Sequence, residues 1–515
     1  MVNFMNPVIP GFYPDPSVCR VGSDYFLVNS SFEFFPGIPL FHSRDLIHWE
    51  QIGHVLTRKS QAVLEDERAS KGIWAPTIRE NKGRFYVSAT NMSYGGNFFV
   101  YTDDIYGEWS EPIWVKQGGI DPSLFFDADG QVYFASTYDM PGGQAIGQSR
   151  IDIETGELLT DTKIIWEGSG GKYPEGPHMF VKDGWYYLLA AEGGTEYGHM
   201  ITIARGTSPW GPFEPCPDNP ILTHRDTMLD QFQAVGHGDI TDTEEGGWWI
   251  VFHGIRTTQY MLHHLGRETM AASVEWNASG WPEINNGKLI TPQMEAEKLP
   301  GRDVQDVQGT DQKQKTGERC QNRLKWNFIK NPDLSDYLWL EEEQKLILYG
   351  AETTLNDGRS PTFLGRRQQH FCTCAEVWLD YFPQTEGAFA GLTVYHTNEH
   401  HYDIGITCCE GAPHILFRKC VGDMETRMIK YLPEYGGKIF LRIESDKLEY
   451  RFWAGEDKGK MEFVGSGRTQ LLSTECMVMT FTGCYVGLFA EKRSKAAFHG
   501  FNYTETGTGI SGYGK

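Results

Sequence analysis

Five short aromatic-rich segments are spaced along residues 23–253 at intervals of roughly 45 to 65 residues. Each one concentrates apolar side chains over about eight residues after a glycine or serine step, as strands that follow tight turns do. They read SDYFLVNS (23–30), GRFYVSAT (83–90), GQVYFAST (130–137), GWYYLLAA (184–191) and GGWWIVFH (246–253). A repeat of this length with several strands in each unit predicts a propeller or an array of β units.

A turn-forming step lies about ten residues before each of these segments, so the repeated unit has two recognisable parts. The steps read YPDPSV (13–18), IWAPTI (73–78), IDPSLF (120–125), YPEGPHMF (173–180) and VGHGDI (235–240). The equivalent positions of the five units are then Asp15, Trp74 with Ala75, Asp121, Glu175 and His237. Because equivalent positions of a radial fold converge on its axis, we expect three carboxylates to meet at one point.

The stretches between the repeats show no sustained helical period and are rich in glycine, aspartate and tryptophan. Such stretches are typical of outer strands and the turns that join them. The sequence therefore predicts an all-β fold in which residues 1–300 form a five-bladed β-propeller with four strands in each blade.

The second part of the chain predicts a separate β domain. Residues 301–320 (GRDVQDVQGTDQKQKTGERC) are polar and nearly free of large apolar side chains, so we expect a linker or surface crossover there. Short alternating runs with glycine turns follow, for example GAFAGLTVYHT (387–397) and KLEYRFWAG (447–455). Residues 321–515 are predicted to form a concanavalin-like β-sandwich without an obvious catalytic cluster of its own.

Charge and hydropathy restrict the classes of partner. The net charge of −22 and the pI near 5.2 oppose binding to nucleic acid or anionic membranes and suit a neutral substrate, although solubility alone explains them equally well. The mean hydropathy is −0.43, and no apolar run approaches the ~20 residues that span a bilayer. We expect neither a nucleic-acid partner nor a membrane partner.

Cysteine usage and the first residues bear on the compartment. The chain has ten cysteines, eight of them after residue 300, and none shows the CxxC spacing of metal ligands. The start, MVNFMNPVIPGF, has no basic region followed by an apolar region, as a secretion signal would. Reduced thiols and a cytoplasmic location are the expectation.

The three carboxylates carry the chemistry that the repeats suggest. Asp-Pro and Pro-Glu-Gly are ordinary turn sequences, but their repetition at equivalent positions favours an active site. Glycoside hydrolysis uses two carboxyl groups across the scissile bond, and a third one nearby raises the pKa of the acid by like-charge repulsion. We assign Asp15 as the general base, Glu175 as the general acid, and Asp121 as the group that raises the pKa of the acid and orients it.

Several longer motifs carry a resemblance to a known family. They read NPVIPGFYPDPSV, GIWAPTI, GGIDPSLFFDADG, YPEGPHMF, GHGDI, LGRETM, WNFIKNP and GAFAGLTVYHTNEHHYDI. The chain resembles glycoside hydrolase family 43, in particular its two-domain β-xylosidases and α-L-arabinofuranosidases, over essentially its whole length. The resemblance implies inversion of the anomeric centre by an Asp base, an Asp modulator and a Glu acid, which match Asp15, Asp121 and Glu175. Inversion implies an acid–base separation of ~6.5–9.5 Å.

The same resemblance assigns aromatic residues to the sugar pocket. Phe32 and Trp74 resemble the walls that face a pentose ring, with core packing as the alternative for both. The neighbouring phenylalanines of SSFEFF compete with Phe32 for this role. In similar two-domain enzymes an aromatic residue of the sandwich closes the pocket, and we predict Phe501 for it, with Phe498 as the other candidate.

Two further polar residues follow from the resemblance. Arg267, in LGRETM, is implied to bind substrate, and we also expect it to help hold Asp121 ionised. His237 matches a histidine that lies under the active site, beside which some members hold a calcium ion. Calcium prefers oxygen ligands, so a buried hydrogen-bonded histidine and a calcium-associated one both stay open. The chemistry requires no cofactor, and a structural calcium is the one candidate metal.

The sequence predicts an exo-acting, inverting glycoside hydrolase that releases xylose from the non-reducing ends of short xylo-oligosaccharides, with L-arabinofuranose as a second product. The alternatives are an α-L-arabinofuranosidase as the main activity, a retaining fructosidase and a non-catalytic carbohydrate-binding propeller. The fructosidase requires an Asn-Asp-Pro type of start, where Tyr13-Pro14-Asp15 stands here. The resemblance also implies a homo-oligomer.

Overall fold

A computed structural model describes residues 1–227, 232–301 and 323–507. These residues form β-strands joined by turns, with single-turn 3-10 helices at Gln259–Met261, Asn285–Gly287, Leu334–Asp336, Thr469–Leu472 and Thr474–Cys476. No helix in the three described stretches is long and apolar enough to cross a membrane.

Each sequence repeat forms one antiparallel sheet, which has four strands in four of the repeats and a fifth, short strand in the fourth repeat; one short strand of the first repeat lies outside its sheet. Strand β1 (Val2–Met5) comes first, and the first repeat contains β2 (Ser17–Val21), β3 (Asp24–Val28), β4 (Phe34–Phe35), β5 (Gly37–Ser43) and β6 (Glu50–Leu56). The second contains β7 (Thr77–Asn81), β8 (Arg84–Asn91), β9 (Gly96–Thr102) and β10 (Ile113–Trp114). The third contains β11 (Ser123–Phe126), β12 (Val132–Met140), β13 (Gly143–Arg150) and β14 (Lys163–Trp166).

The last two repeats complete the ring. The fourth contains β15 (Glu175–Lys182), β16 (Trp185–Glu192), β17 (Met200–Gly206), β18 (Glu214–Pro215) and the additional short strand β19 (Leu222–Thr223). The fifth contains β20 (Phe232–Asp242), β21 (Trp248–Arg256), β22 (Glu268–Trp276) and β23 (Pro282–Ile284), after which β24 (Gln293–Ala296) pairs with β1. The predicted five-bladed propeller is confirmed.

The aromatic-rich segments are the second strands of the five blades, β3, β8, β12, β16 and β21. Neighbouring blades cover both faces of these strands, which is why their apolar residues do not simply alternate with polar ones. The first strand of each blade lies innermost, and β2, β7, β11, β15 and β20 contact one another around the axis. The turn-forming steps therefore lie where the innermost strands begin, apart from the fifth, which falls inside β20.

The remainder of the described chain forms two large antiparallel sheets. Its strands are β25 (Trp326–Ile329), β26 (Tyr337–Leu340), β27 (Lys345–Tyr349), β28 (Thr362–Arg367), β29 (Thr373–Asp380), β30 (Phe389–Thr397), β31 (His400–Cys409), β32 (Ala412–Val421), β33 (Met424–Tyr431), β34 (Lys438–Ser445), β35 (Glu449–Gly455), β36 (Met461–Arg468), β37 (Tyr485–Glu491) and β38 (Lys495–Glu505). One sheet has the order β33-β32-β31-β30-β37-β28-β25-β4, and the other has the order β26-β27-β38-β29-β34-β35-β36. Their apolar faces form one core, as the predicted β-sandwich requires.

The two domains share a sheet. Strand β4 leaves the first blade and pairs with β25, so that Phe35 lies opposite Phe328 and Phe34 opposite Ile329. This pairing fixes the sandwich directly beside the loop that carries Phe32. The predicted linker at 301–320 lies outside the described residues except for Gly301, and the predicted domain boundaries stay predictions.

A buried ionic cluster ties three central strands of the sandwich together. Arg418 Nε lies 2.6 Å from Asp403 Oδ2, and Arg418 Nη2 lies 2.7 Å from Glu491 Oε1. His401 Nδ1 also lies 2.8 Å from Asp403 Oδ2. Burial raises the pKa of Asp403, but His401 and Arg418 outweigh burial and lower this pKa to about 2. The cluster is stable because each charge has a partner.

Removal of the central cation tests this cluster. Arg418→Met removes the guanidinium shared by two buried carboxylates and should lower the free energy of unfolding by about 3–5 kcal/mol, measured by urea denaturation. Arg427→Met is the matched control, because Arg427 lies exposed on edge strand β33 beside Glu425, and it should change that free energy by less than about 0.5 kcal/mol. Equal losses from the two variants would contradict the proposed role of the cluster.

Candidate active site

A cavity of about 370 Å³ opens at the end of the axis where the innermost strands begin. It contains Asp15, Asp121, Glu175 and His237, four of the five equivalent positions, together with Trp74 and Ala75 of the remaining one. A larger cavity of about 720 Å³ is lined by residues farther along the same strands and contains none of these side chains. The chemistry therefore belongs to the smaller cavity.

The backbone at these positions is unusual. Asp15, Asp121 and His237 have φ values of 52°, 55° and 43°, in the left-handed region that non-glycine residues seldom occupy. In the fourth blade the left-handed residue is Gly176 (φ 55°), directly after Glu175. Such strained positions concentrate at functional sites, and their recurrence here supports the equivalence of the four steps.

Asp15 is an ionised carboxylate with partners on both oxygens. Arg267 Nη1 forms an ion pair with Asp15 Oδ1, and the Ser30 hydroxyl donates to Asp15 Oδ2. Burial raises the pKa of Asp15, but the nearby Arg267 guanidinium, the largest opposing influence, lowers it. The pKa of Asp15 therefore lies well below its usual range.

The position of Arg267 corrects one prediction. We expected Arg267 to hold Asp121 ionised, but its guanidinium is paired with Asp15. Arg267 also donates to Thr195 Oγ1 at 3.2 Å and to the Phe481 carbonyl at 3.4 Å, and it is only 6% exposed. The reason for the difference is that Arg267 lies just before β22 of the fifth blade, the neighbour of the first blade around the ring.

Asp121 and Glu175 have the opposite electrostatic character. The pKa of Asp121 is raised well above its usual range, first by burial and then by the Glu175 and Asp15 charges, although the Gly176 N–H donates to Asp121 Oδ2 at 3.2 Å. Burial and the Asp15 charge raise the pKa of Glu175 to about 7, against an opposing effect of Arg267. The two groups interact strongly, so they titrate as a pair that keeps a proton near neutral pH.

Three aromatic side chains form one wall of the cavity. The Phe32 ring centroid lies 6.0 Å from that of Trp74 and 6.1 Å from that of Phe481. The Trp74 indole donates to the Ser70 carbonyl at 2.9 Å, and the Phe481 N–H donates to Ser70 Oγ at 2.9 Å. Ser70 thus fixes the propeller and sandwich parts of this wall against each other.

Phe501 does not line the cavity, so this prediction is wrong. Phe501 lies on strand β38, is partly buried against the sandwich core, and has its ring centroid 4.8 Å from that of Trp326. Phe481, just before strand β37, reaches the cavity together with Met479. Phe498 is buried in the sandwich core and is also excluded. The loop before β37, rather than β38, is the segment that packs over the end of the propeller.

His237 lies against the carboxylate cluster without a donor set for calcium. Its Nδ1 lies 3.8 Å from Asp15 Oδ1, an oxygen that already accepts from Arg267, and its ring stacks at 5.7 Å on His253. Calcium takes six to eight oxygen ligands, and one carboxylate held by an arginine does not fit this need. In the described stretches no group of three or more His, Cys, Asp or Glu could hold a metal ion.

Sequence reasoning missed several residues of the cavity. Tyr173 and Met479 form its rim, with exposed fractions of 52% and 70%, beside Thr195 and Glu196. Tyr173 begins the YPEG step and could have been found there, since an aromatic residue directly precedes the acid. Nothing in the spacing indicates Met479, because it depends on how one domain docks on the other.

Comparisons with known proteins identify the family. Residues 4–282 match the family described as "Glycosyl hydrolases family 43". Residues 319–504 match the family described as "Beta xylosidase C-terminal Concanavalin A-like domain". The chain belongs to glycoside hydrolase family 43. This family 43 enzyme has both of the domains that the sequence predicted, and it is a glycosidase.

Individual relatives of this family 43 enzyme have names of two kinds. It is 38% identical to a non-reducing end α-L-arabinofuranosidase of Bacteroides ovatus, over 96% of this chain and 92% of that protein. It is 35% identical to a xylosidase/arabinosidase of Butyrivibrio fibrisolvens, over 98% of this chain and 99% of that protein. A solved Bacteroides ovatus structure, xyloglucan PUL GH43B, matches with a TM-score of 0.89 at 36% identity, over 98% of this chain and 100% of that one.

The correction from Phe501 to Phe481 is directly testable. Phe481→Ala removes a ring from the cavity wall and should raise KM about tenfold with a smaller change in kcat, because ground-state and transition-state binding are lost together. Phe501→Ala is the matched control and should leave KM within about twofold, once folded protein is confirmed by circular dichroism. A KM increase confined to Phe501→Ala would restore the original prediction.

Proposed function

We propose that this family 43 enzyme is an exo-acting, inverting glycosidase that releases xylose, and also L-arabinofuranose, from the non-reducing ends of short oligosaccharides. The observation that carries the proposal is that Asp15 and Glu175 line one pocket in which Arg267 forms an ion pair with Asp15. Asp15 is held ionised, while burial and the Asp15 charge raise the pKa of Glu175 to about 7. Two carboxyl groups whose environments separate their pKa values are suited to act as base and acid.

In the proposed mechanism Glu175 is the general acid. Its proton passes to the glycosidic oxygen while the bond from the anomeric carbon to that oxygen breaks. A water molecule attacks the anomeric carbon from the opposite face and loses its proton to Asp15. Both oxygens of Asp15 already accept from Arg267 or Ser30, which suits a carboxylate that orients a water better than one that attacks carbon.

Asp121 acts on the acid in this proposal. Its pKa is raised by burial and by the Glu175 charge, so the two carboxyls do not both ionise readily near neutral pH. The Gly176 N–H, which follows Glu175 in the chain, donates to Asp121. Asp121 therefore acts as a positioning residue for the acid-bearing turn and keeps Glu175 protonated.

The shape of the pocket supports action at chain ends. Phe32, Trp74 and Phe481 close one side, and Arg267 is buried at the base beside Asp15. The rim residues Tyr173 and Met479 are exposed, so the remainder of the substrate would leave the pocket there. A closed pocket with one open rim admits a terminal sugar and excludes the interior of a long chain.

The balance between xylose and arabinose is the finer part of the proposal. One relative is named an α-L-arabinofuranosidase and the other a xylosidase/arabinosidase. These names favour xylose and arabinose as products of this chain. The second candidate function is an enzyme whose main activity is that of an α-L-arabinofuranosidase. The ratio of rates on matched β-D-xylosides and α-L-arabinofuranosides decides between them.

A change at the proposed acid separates catalysis from binding. Glu175→Gln should lower kcat/KM on xylobiose by about 10²–10⁴-fold, because the leaving oxygen loses its proton donor. The loss on p-nitrophenyl β-D-xyloside should be much smaller, since that leaving group needs little protonation. The parallel assay on p-nitrophenyl α-L-arabinofuranoside gives the sugar ratio. Equal decreases of kcat/KM on xylobiose and on the aryl xyloside would contradict the role of Glu175 as the acid. If the parent enzyme hydrolyses none of these three substrates, only a binding function remains.

The stereochemistry of the first product tests inversion. Proton NMR of a fresh xylobiose digest should show α-xylose as the sugar first released from the non-reducing end, before mutarotation mixes the anomers. Release of β-xylose would show retention and would exclude Asp15 as a base acting through water.

Three further properties are part of the proposal. Cytoplasmic location is supported by nine cysteines that are free among the described residues. A homo-oligomer is supported by edge strand β33, which is exposed on both faces and carries Met424 and Met428.

The proposed hydrolysis by Glu175, Asp15 and a water molecule needs no metal ion. Cell fractionation, light scattering and assay after dialysis against a chelator measure these three properties.

A further inference from the structure

Two buried histidines connect the proposed base to the proposed acid. The Asp15 backbone N–H donates to His253 Nδ1 at 3.1 Å, and His253 Nε2 lies 3.2 Å from His199 Nδ1. At the far end His199 Nε2 lies 3.8 Å from Glu175 Oε1. His199 and His253 are 1% and 0% exposed, so this chain of contacts is shielded from water.

The direction of the hydrogen bonds follows from the first donor. A backbone N–H only donates, so His253 Nδ1 must present a lone pair to Asp15. Asp15 Oδ1 also lies 3.1 Å from this nitrogen, but a proton placed there would face the backbone N–H. Burial first, together with Arg267 and His237, lowers the pKa of both histidines, so each ring carries a single proton.

The single proton of each ring is then located by elimination. His253 carries its proton on Nε2 and donates it to His199 Nδ1. His199 therefore carries its own proton on Nε2, the nitrogen that points toward Glu175. Among the residues that the structure describes, this buried Nε2 has no hydrogen-bond partner. A buried N–H without an acceptor is costly. Glu175 Oε1 lies 3.8 Å from this nitrogen, which is longer than a hydrogen bond, so the two atoms must approach each other for Nε2 to donate.

The fifth repeat makes room for His199. A β-carbon placed on Gly236 would lie 2.4 Å from His199 Cγ and Nδ1, so the imidazole ring packs directly on this glycine. Two residues of the VGHGDI step therefore contact the site: Gly236 leaves space for the His199 ring, and His237 faces Asp15.

We propose that His199 is a positioning residue for the general acid, whose Nε2–H donates to Glu175 Oε1 as that carboxyl gives up its proton. This inference rests on the proposed function of Glu175 and adds a residue that sequence spacing did not indicate. The donated hydrogen bond stabilises the carboxylate that forms at the moment of proton transfer. It also leaves the Glu175 proton to the other oxygen, Oε2, which serves the leaving group.

The other charged groups around Glu175 set the background for this contact. The Asp15 charge opposes ionisation of Glu175 and Arg267 favours it. The Glu175 charge in turn raises the pKa of Asp121. His237 lies on the Asp15 side of the pocket and faces that carboxylate. His199 is therefore the neutral donor on the fourth blade, and its removal leaves these four groups in place.

The pH dependence of kcat/KM on xylobiose tests the proposal. The alkaline limb of the parent reports the Glu175 pKa of about 7. His199→Phe removes the N–H at similar volume and should raise the pKa of this limb by about 0.5–1, since the charged form loses a hydrogen bond. His199→Gln restores an N–H at a similar distance and should return most of the shift. Gly236→Ala, which displaces the ring, should act like His199→Phe.

The outcomes separate this inference from the proposed function. An unchanged alkaline limb in His199→Phe, or a limb at lower pH, would overturn the donor role, because a lower pKa would mean that His199 had accepted a proton from Glu175. Neutron diffraction of the parent decides the matter if the variants do not fold: deuterium on His199 Nε2 supports the proposal, and deuterium on Nδ1 alone overturns it. A parent without pentosidase activity would refute the proposed function, while the deuterium position would still test the contact.

Discussion

The mutual repulsion of three buried carboxyl groups is the constraint on which the rest of the active site depends. Asp15, Asp121 and Glu175 meet at one end of the propeller axis, where burial alone would raise the pKa of each. Arg267 breaks the symmetry, because its guanidinium pairs with Asp15 and not with the other two. One carboxyl is thereby ionised, and its charge helps the remaining pair to keep a proton. The position of Arg267 therefore determines which carboxyl group is suited to act as the base and which as the acid.

The two domains are joined around the same cation. Arg267 donates to the Phe481 carbonyl, so the loop before β37 is connected to the pair that holds Asp15 ionised. The Ser70 hydroxyl accepts from the Phe481 N–H, and β4 of the propeller region pairs with β25 of the sandwich. The sandwich has no carboxylate in the pocket, but it supplies one wall and part of the frame for Arg267. Loss of its packing would therefore change substrate binding as well as stability.

Much of this architecture could be predicted from sequence, because a repeated pattern carries its geometry with it. Equivalent steps in equivalent blades must approach the axis, so the convergence of Asp15, Asp121, Glu175 and His237 follows from the repeat alone. The partner of Arg267 was not predictable in this way, since it depends on the closure of the fifth blade against the first. Phe481 was missed for a related reason: docking between domains leaves no periodic signal in either one. His253 looks like an ordinary strand residue and His199 like an ordinary turn residue before β17, and their connection appears only in three dimensions.

Titration of the carboxyl groups themselves is the most direct test of this account. Carbon-13 NMR of protein labelled at the Asp and Glu side-chain carboxyls would follow each group, with Asp15→Asn and Glu175→Gln for assignment. The account predicts that Asp15 stays ionised well below the usual aspartate range while Glu175 titrates at about 7. Titration of Glu175 in the ordinary glutamate range, or of Asp15 alongside it near neutral pH, would contradict the separation of base and acid by Arg267.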